Sequence, residues 1–263
     1  MLARLTIGCL AVFLASPAKA QDARPTLVSL DYCADQFVLG LADRDQILAV
    51  SKDAEKPFSH LRDKAVGIRK VRAVTEDIVA LKPDMVVRSW GGDVRSLALF
   101  ERLGIETVQV GYAAKIEDAA KVTREVATAF GQAERGLRFV DAMPGPSAPT
   151  GRSALYLTPG GVTAGQGTMV DSLLTSAGLN NAVSAQGWSS LPMETLVLDP
   201  PSLAVTAFFG FDTDVADHWS PSRHPVLARI LRGVEAHALN ESRLTCPAWF
   251  VADEAAALSK VVR

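Results

Sequence analysis

Chemistry in a chain needs reactive side chains at workable spacing, and the first candidate is the glycine-rich run Gly160-Gly161-Val162-Thr163-Ala164-Gly165-Gln166-Gly167-Thr168. Small residues there let backbone N–H groups approach an anion, but the Gly-Lys-Ser/Thr ending of a nucleotide loop is missing. The run reads instead as a flexible turn into a helix at Met169, with contact to a ligand as its functional alternative. His60, His218, His224 and His237 are irregularly spaced, with no His-x-x-x-His or His-Glu pair. Surface or structural roles therefore rank ahead of a site for bare zinc or manganese. No Gly-x-Ser-x-Gly elbow or other compact nucleophile motif occurs, so an exported hydrolase lacks its base and nucleophile.

Aromatic residues make up only 6% of the chain, which makes their placement informative. Tyr32 and Trp90 each follow an apolar strand-like run, Trp188 follows a glycine, and Phe209 ends the run that begins at Leu203. In parallel α/β sheets the carboxyl ends of strands face the ligand crevice, so these residues are candidate flat surfaces for a macrocycle or aromatic chelator. Ordinary core or rim packing carries nearly equal weight for each. Arg69 and Arg88 are candidates to neutralise an anionic chelate, against the blander reading of solvated arginines. Two segments invite comparison, Thr75-Glu76-Asp77-Ile78-Val79-Ala80-Leu81-Lys82-Pro83-Asp84 and Pro192-Met193-Glu194-Thr195-Leu196-Val197-Leu198-Asp199-Pro200. Each places a glutamate at a helix start, where the helix dipole favours it, then an apolar turn and a proline before a strand. One exposed acid on each half of the molecule would also make a matched pair for docking to basic sockets.

The elements that must position these residues alternate along the chain. Short apolar runs at Thr26–Leu30, Ile47–Ser51, Asp84–Arg88 and Glu106–Val110 are separated by helical stretches such as Asp31–Leu41, Thr75–Leu81 and Val94–Leu103. That alternation predicts a mostly parallel sheet covered by helices. From Ile116 to Val140 apolar residues recur at helical spacing, and one helix of that length would reach roughly 35 Å, a strut between two lobes. One long helix is the expectation; Gly131 and Gly136 each cost about 1 kcal/mol relative to Ala inside it, and a break near Gly131 is the alternative. Met143-Pro144-Gly145-Pro146-Ser147-Ala148-Pro149 is a linker. The pattern then resumes, with strands at Ser153–Thr158 and Leu203–Phe209 and helices at Met169–Ala177, Pro225–Leu231 and Ala248–Val262. The expected architecture is α/β, two lobes with mostly parallel sheets joined by a helix, with an N-terminal lobe over 21–113, a connector over 114–145 and a C-terminal lobe over 146–263.

Met1-Leu2-Ala3-Arg4, an apolar stretch of about a dozen residues and Pro17-Ala18-Lys19-Ala20 have the order of a cleavable secretory signal, over 1–20, too short for a membrane anchor. A net charge of -2 and a pI near 6.1 give no footprint for nucleic acid. Cys33 and Cys246 remain after cleavage into a compartment that permits disulfides. A disulfide ranks ahead of two buried thiols, and both ahead of thiolate ligation of a metal.

Several segments, weak singly but specific in this order, resemble the helical-backbone class of ABC importer binding proteins, which carry cobalamin, ferric siderophores and haem. They are Val28-Ser29-Leu30-Asp31 with Asp35, Glu76 to Val87 with its Leu-Lys-Pro-Asp, Leu103-Gly104-Ile105, Ala164-Gly165-Gln166-Gly167-Thr168, Ala177-Gly178-Leu179-Asn180 and Glu194 to Pro200. The resemblance covers nearly the whole mature chain. It implies a monomeric, non-enzymatic periplasmic receptor without a cofactor, whose partners are a metal chelate and an inner-membrane ABC permease. It also implies a barely flexing cleft and a docking role for Glu76 and Glu194 against permease arginines. Trp90 and Trp188 are similar in position to tryptophans that pack on the corrinoid in cobalamin binders. Cys33 and Cys246 are not general features of the class.

Overall fold

A computed structural model of the chain describes residues 24–89, 94–208 and 223–263. The first half builds β1 (Leu27–Ser29), α1 (Tyr32–Leu41), β2 (Ile47–Ser51), β3 (Lys70–Val71), α2 (Thr75–Val79), β4 (Met85–Arg88), α3 (Val94–Arg102) and β5 (Glu106–Gln109). Helices α4 (Ile116–Ala129) and α5 (Ala133–Asp141) follow. The second half builds β6 (Ser153–Leu157), β7 (Val162–Ala164), α6 (Met169–Ser176), β8 (Asn180–Asn181), β9 (Trp188–Ser190), α7 (Met193–Leu198), β10 (Leu203–Thr206), α8 (Pro225–Ile230), β11 (Glu235–Ala238) and α9 (Val251–Val261).

The predicted parallel α/β architecture is present. One sheet has the order β3-β2-β1-β4-β5 and another the order β11-β10-β6-β8, with every neighbouring pair parallel. Successive side chains of a strand point to opposite faces, so each sheet buries two apolar surfaces. Leu27 and Val87 face a core shared with α1 and α4, whereas Val28 and Val86 face a smaller core with Ile78 of α2 and Phe100 of α3. The second sheet repeats the plan. Tyr156, Leu203 and Val205 join the shared core, and Leu155, Leu157 and Ala204 pack with Leu196 of α7 and Leu227 of α8. One continuous apolar core therefore runs through both halves.

The stretch from Ile116 is helical but is not one long helix: it breaks at Gly131, whose φ of 69° lies in the left-handed region that glycine tolerates best. Helix α4 alone would reach about 21 Å, and α5 packs against its final turns, with Gly136 facing Thr123, Arg124 and Ala127. The glycine-rich run is not a free turn. Val162–Ala164 pairs antiparallel with Trp188–Ser190, the Thr163 hydroxyl donates to Tyr156 O at 2.7 Å, and Thr168 caps α6 by accepting from Asp171 N. A three-residue strand whose partner lies more than twenty positions away leaves no local periodicity to find. Among the described residues, no helix is long and apolar enough to cross a membrane.

Candidate functional site

Strand order locates the crevice. The chain leaves β1 toward β2 on one side and comes back to β4 on the other, so the carboxyl ends of β1 and β4 diverge around a switch point of the kind that binds ligands in open α/β sheets. Asp31 holds it together. One carboxylate oxygen accepts from Cys33 N and Ala34 N at 3.1 and 2.9 Å, which caps α1, and from the Ser89 hydroxyl at 2.7 Å. The other accepts from Ser89 N at 2.8 Å, which ties the end of β4 to that of β1. The second sheet has the same layout, with β6 between β8 and β10, so its switch point lies near Thr158 and Phe208.

A disulfide fastens the two halves together near these ends. Cys33 opens α1 at the carboxyl end of β1, and Cys246 lies in the segment that leaves the carboxyl end of β11; they form a disulfide with a Cα–Cα distance of 5.4 Å. Around this bond the segment 240–250 packs on the first half. The Thr245 hydroxyl donates to Phe58 O at 2.9 Å, the Phe250 ring centroid lies 4.4 Å from that of His60, and Trp249 packs edge-on against Phe37. Trp249 fits because α1 carries Gly40 there: a Cβ at that position would stand 2.5 Å from the indole. The halves are thus joined twice, through α4 and through a covalently fastened strap.

Tyr32, half-buried beside the disulfide, meets Phe58 edge-on with ring centroids 5.1 Å apart. Burial, then the carboxylates of Asp31 and Asp53, hold its phenol above the ordinary tyrosine range. Trp188 is 55% exposed on β9 and rests edge-on against the buried Tyr156, whose phenol is pushed up by burial and by Glu241. Both Tyr156 and Tyr32 contribute to the core that spans the halves. Trp90 and Phe209 lie outside the described residues. Phe208 beside it adopts a φ of 67°, the left-handed conformation that is rare for an aromatic residue. Arg88 is 8% exposed, and among the described residues its Nε has no hydrogen-bond partner. By strand alternation its side chain emerges on the α2–α3 face of the sheet, with Val86. Arg69 is exposed and immediately precedes the edge strand β3, two strands from β1, so the structure does not bring it to the switch point.

Phe58, Tyr156 and Tyr112 were not singled out by the sequence. Tyr112, 80% exposed, stands just past the carboxyl end of β5, and its position three residues after that strand was the one available signal. Beneath the crevice, Asp35 is fully buried and accepts from Ser51 N at 2.9 Å and from the Ser51 hydroxyl at 2.6 Å. Burial pushes its carboxyl up to about 6; the Ser51 hydrogen bonds oppose this and Asp31 adds to it.

Glu76 and Glu194 are each exposed at the second position of a short helix, α2 and α7. His218 lies outside the described residues, His224 caps α8 by accepting from Val226 N, and His60 packs on Phe250. Among the described residues no group of three or more His, Cys, Asp and Glu side chains is placed to hold a metal ion.

Two parallel α/β sheets, each with its own switch point, joined by a helical connector and a disulfide-fastened strap define a two-lobed binding protein. The family model described as periplasmic binding protein matches residues 27–207, and the chain belongs to that family. No curated protein is similar enough in sequence to count as a relative. Among solved structures, a periplasmic heme binding protein from Pseudomonas aeruginosa is similar with a TM-score of 0.65 and 20% identity, over 90% of this chain and 92% of that one. The periplasmic heme binding protein HutB of Vibrio cholerae gives 0.67 and 16%, over 90% and 98%. The periplasmic vitamin B12 binding protein BtuF of Vibrio cholerae gives 0.60 and 16%, over 90% and 97%. At these identities the likeness establishes the fold.

Proposed function

We propose that this chain is the periplasmic substrate-binding component of an ABC importer, capturing a corrinoid, haem or ferric siderophore between its lobes and delivering it to an inner-membrane permease. Residues 21–113 and 146–263 form the lobes and 114–145 the connector. The observation that carries this reading is the disulfide that joins the start of α1, past the first switch point, to the segment after β11, with the half-buried Tyr32 next to it and the exposed Trp188 on the second half. Flat aromatic faces at a largely preformed crevice suit a large, flat, weakly flexible ligand, because little ordering entropy is lost when it binds. That proteins sharing the fold bind heme and vitamin B12 supports this choice of ligand class. Glu76 and Glu194 would meet cationic sockets on the permease, one from each lobe.

Titration of the purified protein with hemin, cyanocobalamin and a ferric hydroxamate siderophore tests this directly. One of the three quenches tryptophan fluorescence and raises the melting temperature, and Trp188→Ala weakens that effect. Unchanged fluorescence and melting temperature with all three would reject it.

A further inference from the structure

Helices α2 and α7 occupy corresponding places, each opening with an exposed glutamate and leading to a proline before a strand, yet their outward faces differ. On α7, Met193 and Leu196 turn inward to the core of Leu155, Leu157 and Leu227. Val197 and Leu198 lie three and four residues after Glu194, which places all three on one helical face. That face is open: Val197 is 53% exposed and Leu198 is 86% exposed, the most exposed large apolar side chain among the described residues. The corresponding positions of α2 are Val79, partly buried in the lobe's own core, and Ala80. Leu198 and about half of Val197 lie in water beside a carboxylate and contribute little to folding. Burying them against a partner removes apolar area from water in the same contact that pairs the acid.

We propose that Val197 and Leu198 form an apolar anchor seated in the permease beside the cationic socket for Glu194, so that the C-terminal lobe docks by burial plus charge and the N-terminal lobe by charge alone. This rests on the reading of the chain as an importer's binding component. The permease is the occupant because the acid on the same face calls for a cationic partner and the family works beside the inner membrane. Difference between the lobes gives the docked complex a direction that two equivalent glutamates cannot supply.

The test measures binding of fluorescently labelled protein, loaded with whichever of hemin, cyanocobalamin and the ferric hydroxamate siderophore quenches its fluorescence, to right-side-out inner-membrane vesicles of the source cell at low and at 0.5 M salt. Wild type, Leu198→Ala, Val197→Ser/Leu198→Ser and Glu76→Lys/Glu194→Lys proteins are compared. Because both apolar side chains are exposed, melting temperature and chelate affinity stay at wild-type values. The double serine variant binds vesicles about tenfold more weakly, the scale of losing one buried aliphatic side chain. That deficit persists at high salt, where screening weakens the acid contacts. Leu198→Ala, which copies the α2 arrangement, falls between. Wild-type binding by the serine variant, with charge reversal still disruptive, overturns the anchor and leaves the importer reading standing. Absence of vesicle binding by wild type itself overturns both.

Discussion

The disulfide offers the sharpest quantitative test. Cys33 and Cys246 are separated by 213 residues, so the bond closes a loop that spans nearly all of the folded chain. Loop-closure entropy for that length corresponds to about 5 kcal/mol at 25 °C, an upper limit because residual structure in the unfolded chain already brings its ends closer together. For a protein of this size, about 5 kcal/mol corresponds to a fall of roughly 10–20 °C in melting temperature. Two perturbations separate the cross-link from the sulfur atoms: reduction of wild type by a phosphine, and the double substitution Cys33→Ala/Cys246→Ala. Both cysteines are buried, so the alanine protein also loses packing and melts somewhat lower than reduced wild type. The assay is calorimetry or circular dichroism, with mass spectrometry confirming the bond in the untreated protein. The strap that carries Thr245, Trp249 and Phe250 onto α1 and Phe58 should also lose hydrogen-exchange protection ahead of the two sheets. If a bonded wild type and its reduced form melt within about 2 °C of each other, the cross-link does not stabilise the fold by constraining the unfolded chain.

Asp35 makes stability depend on pH. Its folded-state value of about 6 lies above the ordinary 3.8, so the folded chain holds a proton that the unfolded chain releases. Stability therefore falls as pH rises from about 4 to about 6, by about 3 kcal/mol if Asp35 acts alone. Urea denaturation at pH 4.5 and pH 7 checks this, and Asp35→Asn flattens the slope; an unchanged slope in the variant would exclude Asp35 as its source. Gly40→Val drives a side chain into Trp249 and lowers stability by about 1–3 kcal/mol, with a shift of tryptophan emission as the strap lifts. Asp31→Ala removes the α1 cap and the tie to Ser89, and costs roughly 2 kcal/mol by chemical denaturation. Trp188→Ala leaves the melting temperature within about 2 °C, because half of the side chain is already in water, yet weakens chelate binding about tenfold by fluorescence titration.

How much of this was legible without coordinates varies by feature. Apart from the two-residue strands β3 and β8 and the polar β11, which carry no apolar run, much of the strand and helix order was, since β2 runs from Ile47 to Ser51 as its apolar run indicates, and Asp31 caps α1 as an aspartate before an amphipathic stretch should. Those signals are local, carried by side-chain period and capping chemistry. The glutamates that open α2 and α7 could be picked out for the same reason. Pairings between distant segments could not. The β7–β9 ribbon, the meeting of Phe58 with Tyr32, the support of Trp188 by Tyr156 and the exposure of Leu198 all depend on which surfaces tertiary packing buries. Arg69 and Arg88 looked alike as sequence; strand order put one beside an exposed edge and sheet alternation buried the other.

Sequence by itself determined that the chain alternates strands and helices, that two parallel sheets result, and that two cysteines were available to pair, because each follows from residue type and near-neighbour spacing. The Cys33–Cys246 bond expected from the sequence is made, but only the tertiary structure decided that the segment after β11 straps the second half to the first and that Trp188 rests on Tyr156. The physical reason is that long-range contacts are selected by the burial of the whole chain at once, and no short window of residues holds that information.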